Sequence, residues 1–316
     1  MGIGVTDEMY IKAGATIIDT PKEIFAKADM IIKVKEPLPE EYNLLRENQI
    51  LYTYLHLAPA PQLTKALMER KVIGIAYETI QPEDGSLPLL TPMSEVAGRM
   101  STQIGAHHLE KAAGGKGILL GGVPGVAPAR VCVLGGGVSG INAAKIAVGM
   151  GATTSILDVN SKRLEYIDHV FGGQVHTLYS NYENIEKSVI ESDLVIGAVL
   201  IAGAKAPKLV TKDLISQMSP GSVVVDIAID QGGCIETIKQ TSHDNPTYSV
   251  DGVIHYAVPN MPGAVARTST YALTNVTLKY ALMLADMGFK DAVAKDAALY
   301  KGVNVYNGKV AYLQVA

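Results

Sequence analysis

Apolar residues in the first ninety positions gather in three short runs, "MIIKVK" (30–35), "LYTYLHL" (51–57) and "VIGIAYE" (72–78). Around Glu40–Glu47 and Pro61–Lys71 the apolar positions recur at helical spacing instead, so this part reads as alternating strands and helices. Ahead of them, "DEMYIKAGA" puts Tyr10, Ile11 and Ala13 at helical spacing directly after Asp7 and Glu8, with no strand before it. The stretch "LTPMSEVAGRMSTQIGAHHLEKAAGG" predicts one long helix. Thr91 suits the N-cap, Pro92 the first turn, and Glu95 the positive end of the dipole. Val96, Met100 and Ile104 share a face, and Gly114–Gly115 are expected to stop the helix, which reads as a connector between domains.

From Arg130 the pattern changes. "VCVL", "TTSILD", "QVHTL", "SDLVIGAVL" and "GSVVVDIAID" are continuous apolar, β-branched runs separated by helical spacers. Runs of that kind are parallel strands covered on both faces, which predicts a doubly wound α/β sheet. After Met261 the spacing becomes helical again, from about Ser269 to Gly288, followed by a short helical tail.

Composition narrows the function. Hydrophobic residues make up 48% and charged residues 18%, as in a folded globular protein. Basic residues number 27 and acidic 31, Trp is absent and Phe numbers 3, so neither a basic footprint nor a stacking surface for nucleic acid is present. Cys132 and Cys234 lie far apart and read as buried thiols in a reducing cytoplasm. His169, His176, His243 and His255 are scattered, so no metal site is expected. His107 and His108 are adjacent on a helix, so one is expected to pack and the other to face solvent. "YALTNVTLKYALMLADMG" (271–288) is interrupted by Asn275, Lys279 and Asp286 and reads as a packed helix, not a membrane span.

The strand "RVCVL" runs directly into Gly135-Gly136-Gly137-Val138-Ser139-Gly140 and then a helical stretch, which is G-x-G-x-x-G in the context a dinucleotide requires. Gly135 permits the turn, Gly137 the approach of a pyrophosphate, and Gly140 the packing of helix on strand. Asp158 ends the next strand 18 residues beyond Gly140, where a carboxylate can receive the adenosine ribose hydroxyls and would repel a 2′-phosphate. This favours NAD over NADP, although Lys162 and Arg163 stand close enough to weaken the preference. FAD uses the same fingerprint, and a glycine-rich turn of another α/β protein is the plain alternative.

"KVKEP" (33–37), "YLHLAP" (54–59), "AYE" (76–78), "PMSEVAGR" (92–99), "DIAIDQGG" (226–233) and "NMPGAV" (260–265) stand in the order and spacing of NAD-dependent alanine dehydrogenases, and the chain resembles that family through nearly its whole length. Transhydrogenase subunits share the fold and parts of these motifs. The resemblance implies reversible oxidative deamination of L-alanine to pyruvate and ammonium, a Rossmann NAD domain over 91–262, and a substrate domain built from 1–90 and 263–316. It also implies a homo-oligomer, with a hexamer the expected form. By the same resemblance Lys35 binds substrate, His56 works as acid or base, and Asp230 is a second catalytic residue beside the nicotinamide. Ser94, Val138, Ser139, Arg163, Ser180, Val199, Leu200, Ile227, Asp230, Val258, Asn260 and Met261 fall on positions that contact the cofactor in the family.

Each role has a plain alternative: His56 as a core histidine, Lys35 as a solvated strand end, Asp230 as a turn carboxylate with Asp226 as its competitor. In the family, the equivalent of "GVTDEMYIKAGA" follows an opening β-α-β stretch whose "KE…NRVA" segment supplies an arginine for the substrate carboxylate. That comparison predicts a substrate domain lacking its front, with impaired activity. Two other functions stay open on this reading: a non-catalytic NAD-binding oligomeric remnant, and a transhydrogenase-like component that passes hydride between nucleotides.

Overall fold

The three early apolar runs form strands β1 (Met30–Ile32), β2 (Ile50–Thr53) and β3 (Ile73–Ala76) in a computed structural model, which describes residues 2–199 and 206–312. They pair in parallel, Met30 opposite Ile50 and Ile50 opposite Ile73. Helices α1 (Asp7–Lys12) and α2 (Pro21–Lys27) precede β1. The Thr6 and Thr20 hydroxyls cap them by accepting the N–H groups of Met9 and Glu23. Helix α3 (Pro61–Glu69) crosses between β2 and β3, and its Leu63 and Leu67 pack with Phe25, Leu51 and Leu55 in one core.

The helix expected over Glu40–Glu47 is instead a short 3₁₀ turn, Pro39–Leu44. Pro37 and Pro39 hold the approach extended. Beyond the turn, Arg46 Nε and Gln49 Nε2 both donate to the Phe25 carbonyl, at 2.9 Å each, which ties the chain to the end of α2 and draws it out of helix.

Helix α4 (Thr91–His108) starts where expected but is shorter than predicted. The Thr91 hydroxyl does not cap it; it donates back to the Leu87 carbonyl at 3.1 Å. The helix ends before Gly114: Leu109 is fully buried, and its carbonyl receives the N–H groups of Gly117 and Ile118, at 2.9 and 3.3 Å, as the chain turns back on the helix end. A 3₁₀ turn, Lys111–Ala113, follows, and Gly115 lies so close that a Cβ there would come 2.2 Å from the His108 carbonyl oxygen. His107 is exposed beside Glu110, while His108 is half-buried against Tyr256.

The glycine-loop half is built on β4 (Arg130–Leu134), α5 (Val138–Gly149), β5 (Thr153–Asp158), α6 (Ser161–Phe171), β6 (Val175–Tyr179), α7 (Tyr182–Ile190), β7 (Leu194–Gly197), α8 (Lys212–Gln217) and β8 (Val223–Asp226). Two strands not anticipated, β9 (Thr247–Val250) and β10 (Val253–Tyr256), complete a seven-stranded sheet of order β6-β5-β4-β7-β8-β10-β9. Only β9 is antiparallel. The sequence reverses direction across the sheet between β4 and β7, which makes it doubly wound. Alternate strand residues feed two cores. Val131 and Val133 pack with Val96 and Met100 of α4, and Cys132 and Leu134 with Ile185 and Val189 of α7.

The last part of the chain is helix α9 (Ala266–Lys295), interrupted at Gly288 (φ 73°), then α10 (Ala297–Lys301). The expected helical tail ends in two strands, β11 (Val303–Tyr306) and β12 (Lys309–Val310), and β11 joins β3 antiparallel to give the order β1-β2-β3-β11-β12. The chain thereby divides into two units: Met1–Pro92 with Ala266–Ala316, and Met93–Val265.

Candidate functional site

In the unit Met93–Val265, the carboxyl ends of β4, β5 and β7 bring the predicted glycine loop together with Asp158. Gly135 sits at φ 99°, and a Cβ there would come 2.8 Å from the Ala198 carbonyl oxygen. At Gly140 a Cβ would lie 1.9 Å from the Gly135 oxygen, so helix and strand touch through backbone alone. Gly137 differs: a Cβ there would meet nothing within 4 Å, and no side chain caps the helix it begins. The first amides of α5, including those of Val138 and Ser139, therefore point from an open helix N-terminus, the arrangement that receives a phosphate.

Asp158 is half-buried and holds the loop from below. Its Oδ2 accepts the Gly136 N–H at 2.7 Å, and its Oδ1 the Asn160 N–H at 2.8 Å. Each carboxylate oxygen keeps a further acceptor site for a sugar hydroxyl. Arg163 donates from Nε to the Gly136 carbonyl at 2.5 Å and lies over the Tyr166 ring, so the Gly136 peptides are gripped from both sides. Ser180 follows β6, with its N–H on the Asp158 carbonyl at 3.0 Å, and Val199 follows β7 at the same end of the sheet. Leu200 lies outside the described residues.

Ser94 stands in the first turn of α4, one turn before Gly98. Gly98 was not singled out in the sequence, yet a Cβ on it would come 2.1 Å from the Ser139 carbonyl oxygen. Only glycine lets α4 back directly onto the start of α5. Val258 and Met261 are 1% and 2% exposed and belong to the core, so only their backbone is free to touch a ligand. Asn260 is exposed between them, at φ 51°. Ile227 and the exposed Asp230 lie on a 3₁₀ turn, Ile227–Gln231, at the end of β8.

Asp226, the competitor of Asp230, is fully buried. It accepts the N–H groups of Ala228, Cys234 and Ile235 at 2.9, 2.8 and 3.2 Å. Burial pushes its carboxyl above the usual range, against these donors and Lys208, which favour the ionised form. With its acceptors turned inward, it has a structural role.

In the other unit, Lys35 and His56 follow neighbouring parallel strands. The chain beyond β1 stays beside that beyond β2, with the Tyr54 N–H on the Val34 carbonyl and the Thr53 hydroxyl on the Lys35 carbonyl at 3.0 Å. Both side chains are exposed. His56 is therefore not the core histidine of the plain reading; the buried members of its run are Leu55 and Leu57.

His56 adopts φ 47°, a left-handed corner uncommon for a non-glycine residue. Glu78 secures that corner by accepting the His56 N–H at 2.6 Å and the Leu55 N–H at 3.1 Å, with Oε1 3.9 Å from His56 Nδ1. The imidazole stacks on Tyr54 at 5.8 Å between centroids. Tyr54 donates to the Leu89 carbonyl, and its phenol is held protonated chiefly by burial. Glu78 had no assigned role in the sequence. The available signal was its place, an acid two residues after β3 at the carboxyl end of parallel strands.

Comparison with known proteins bears on both halves. Residues 1–97 match the family profile "Alanine dehydrogenase/PNT, N-terminal domain", and residues 101–313 match "Alanine dehydrogenase/PNT, C-terminal domain". The alanine dehydrogenase of Methanococcus maripaludis is 65% identical over all of this chain and 85% of its own length. That of Lysinibacillus sphaericus is 59% identical over the same shares. A solved L-alanine dehydrogenase superposes with a TM-score of 0.95 at 53% identity, covering 99% of this chain and 86% of the other. A transhydrogenase structure from Sinorhizobium meliloti matches at TM-score 0.80 and 23% identity, over 98% of this chain and 86% of the other, and shares the fold. The expected loss of a front segment is not borne out by these matches, in which the N-terminal profile takes in residues 1–97.

Proposed function

Since the chain belongs to the alanine dehydrogenase/PNT family, we propose that it catalyses the reversible oxidative deamination of L-alanine to pyruvate and ammonium with NAD as acceptor. What supports this reading most is that the family match runs through both units, taking in the glycine loop and the Lys35–His56 strand ends alike.

The residues fit NAD. The uncapped first turn of α5 and the open face of Gly137 would hold the pyrophosphate, and the spare acceptor sites of Asp158 the adenosine ribose. When bound, NAD supplies the acceptor for the α-hydrogen and its electron pair. The unit Met93–Val265 is read as the cofactor domain, and Met1–Pro92 with Ala266–Ala316 as the substrate domain.

His56 serves as the acid–base group. Alanine arrives with an ammonium that must lose a proton before the α-hydrogen can leave. Water must then add to the iminium, and the carbinolamine must expel ammonia. An exposed imidazole suits repeated transfers of this kind near neutral pH. Glu78 fixes the corner from which the ring reaches out. Lys35 binds substrate, its ammonium facing the carboxylate and the oxygen that develops on the carbinolamine. Asp230, exposed at the end of β8, is the second acid–base group. Ser94, Arg163, Ser180, Val199, Leu200, Ile227 and the Val258–Met261 segment are assigned to cofactor contact.

The assembly proposed is a homo-hexamer, with the exposed Tyr271, Leu278 and Leu282 of α9 offered to a second copy. The compartment proposed is the cytoplasm, where the free buried thiols of Cys132 and Cys234 stay reduced.

The test follows NADH absorbance with purified chain, pyruvate and ammonium, beside His56→Ala. Oxidation of NADH that requires both substrates, and falls by about 100-fold or more in His56→Ala, is the expected result. NADH binding without any such turnover would overturn the reading.

A further inference from the structure

The turn that carries Asp230 is gripped from two sides. On the inner side, the buried Asp226 collects the N–H groups of Ala228, Cys234 and Ile235. On the outer side, Lys208 Nζ donates to the carbonyls of Gly232, Gly233 and Ile235 at 2.6, 2.9 and 3.0 Å. An ammonium has three donors, so this lysine has none left for a ligand.

Lys208 is held in place by backbone. The Leu209 N–H meets the Cys234 carbonyl at 2.8 Å, the Glu236 N–H meets the Val210 carbonyl at 2.8 Å, and Val210 forms a parallel bridge with Ile235. The grip acts where the chain is least restrained by its own sterics. Gly232 and Gly233 both have positive φ, at 89° and 72°, immediately after the 3₁₀ turn.

We propose that Lys208 is the positioning residue of Asp230: by holding the Gly232 and Gly233 carbonyls against the buried Asp226, it sets where the Asp230 carboxylate stands. This rests on the reading of Asp230 as an acid–base group, and the experiment separates the two. Lys208 is solvent-exposed, so its replacement opens no core cavity.

Steady-state reductive amination is measured for Lys208→Met, Asp230→Asn and the double variant, with NADH affinity by fluorescence titration. Lys208→Met should lower kcat by about 100-fold, the scale of loss expected from a misplaced reacting group. Its NADH affinity should stay within about twofold, and the double variant should be no slower than the slower single, because both changes act through one carboxylate. Losses that multiply in the double variant would overturn the proposal, as would wild-type kcat in Lys208→Met beside a slow Asp230→Asn. Full activity in Asp230→Asn would overturn the reading of Asp230 and the proposal with it.

Rescue supplies a second arm. Lys208→Cys alkylated with 2-bromoethylamine regains an ammonium of nearly the same reach, and most of the rate should return; no recovery would count against the grip. Hydrogen exchange on the unmodified protein covers the case in which the variants fail to fold. The Cys234 and Ile235 amides should exchange as slowly as those of β8, and fast exchange there would overturn the proposal.

Discussion

Gly137 and Gly140 stand three positions apart in one motif, yet substitution should expose two different functions. A Cβ at Gly137 would enter open space, and its φ of −67° suits any residue. Gly137→Ala should therefore leave the unfolding midpoint unchanged while raising the dissociation constant for NADH by about tenfold or more, since the methyl would occupy the place proposed for the pyrophosphate. A Cβ at Gly140 would lie 1.9 Å from backbone. Gly140→Ala should destabilise the fold by about 1–3 kcal/mol, as over-packing does. Paired urea unfolding and NADH titrations check both, and a destabilised Gly137→Ala with unchanged NADH affinity would refute the assignment. At this scale the motif was legible because its spacing encodes backbone contact. The choice between Asp226 and Asp230 was not legible: four residues apart on one apolar run, they separate only when one is buried among amides and the other is left in solvent.

Elements fared unevenly, and the strands missed share a cause. The parallel strands β4, β7 and β8 were legible because strands covered on both faces are continuously apolar, and they are buried at nearly every position. The apolar pattern does not mark the hairpins β9–β10 and β11–β12, although each carries the strongest local hairpin signal, Asp251–Gly252 and Asn307–Gly308, with φ of 51° and 79° in the first and 50° and 71° in the second. Their strands are short and partly polar. Gly252 also abuts Pro220, where a Cβ on the glycine would come 3.1 Å from the proline Cβ. Gly252→Ala should cost about 1–2 kcal/mol, the penalty of a left-handed residue with a side chain. Urea unfolding measures it, and no loss would mean that the turn relaxes to another type. The shortfall of α4 is different in kind: the chain turns back at the buried Leu109 before the glycines are reached.

For the molecule as a whole, the pH dependence of stability follows from buried imidazole. His255 is fully buried, its Nδ1 2.9 Å from the Val253 carbonyl and its Nε2 2.7 Å from the Thr237 hydroxyl, the partners of a neutral ring that donates once and accepts once. Burial lowers its affinity for a proton, and burial followed by the neighbouring His107 does the same to His108. A depressed folded-state pKa means that the unfolded chain binds the proton first as pH falls. The stability held above about pH 6.5, the ordinary histidine value, is therefore lost progressively below it, down to the lower folded-state pKa. Urea midpoints taken between about pH 7 and about pH 5.5 should fall, and His255→Gln should flatten part of that slope. An unchanged slope in the variant would remove His255 as a source.

The order and period of the apolar runs determined the doubly wound sheet, and local spacing determined the glycine loop and the acid that follows it, because both depend on a few consecutive residues meeting fixed backbone geometry. The family resemblance reached further, to Lys35, His56 and Asp230, without saying what holds them. That was decided by contacts between residues far apart in the chain. Glu78 secures the His56 corner from 22 positions away, Gly98 lets α4 rest on Ser139, and Lys208 and Asp226 grip the turn around Asp230. No local period records such a contact. A polar side chain gains its partner only when folding brings two distant backbones within hydrogen-bond distance and removes the water that would otherwise serve each of them.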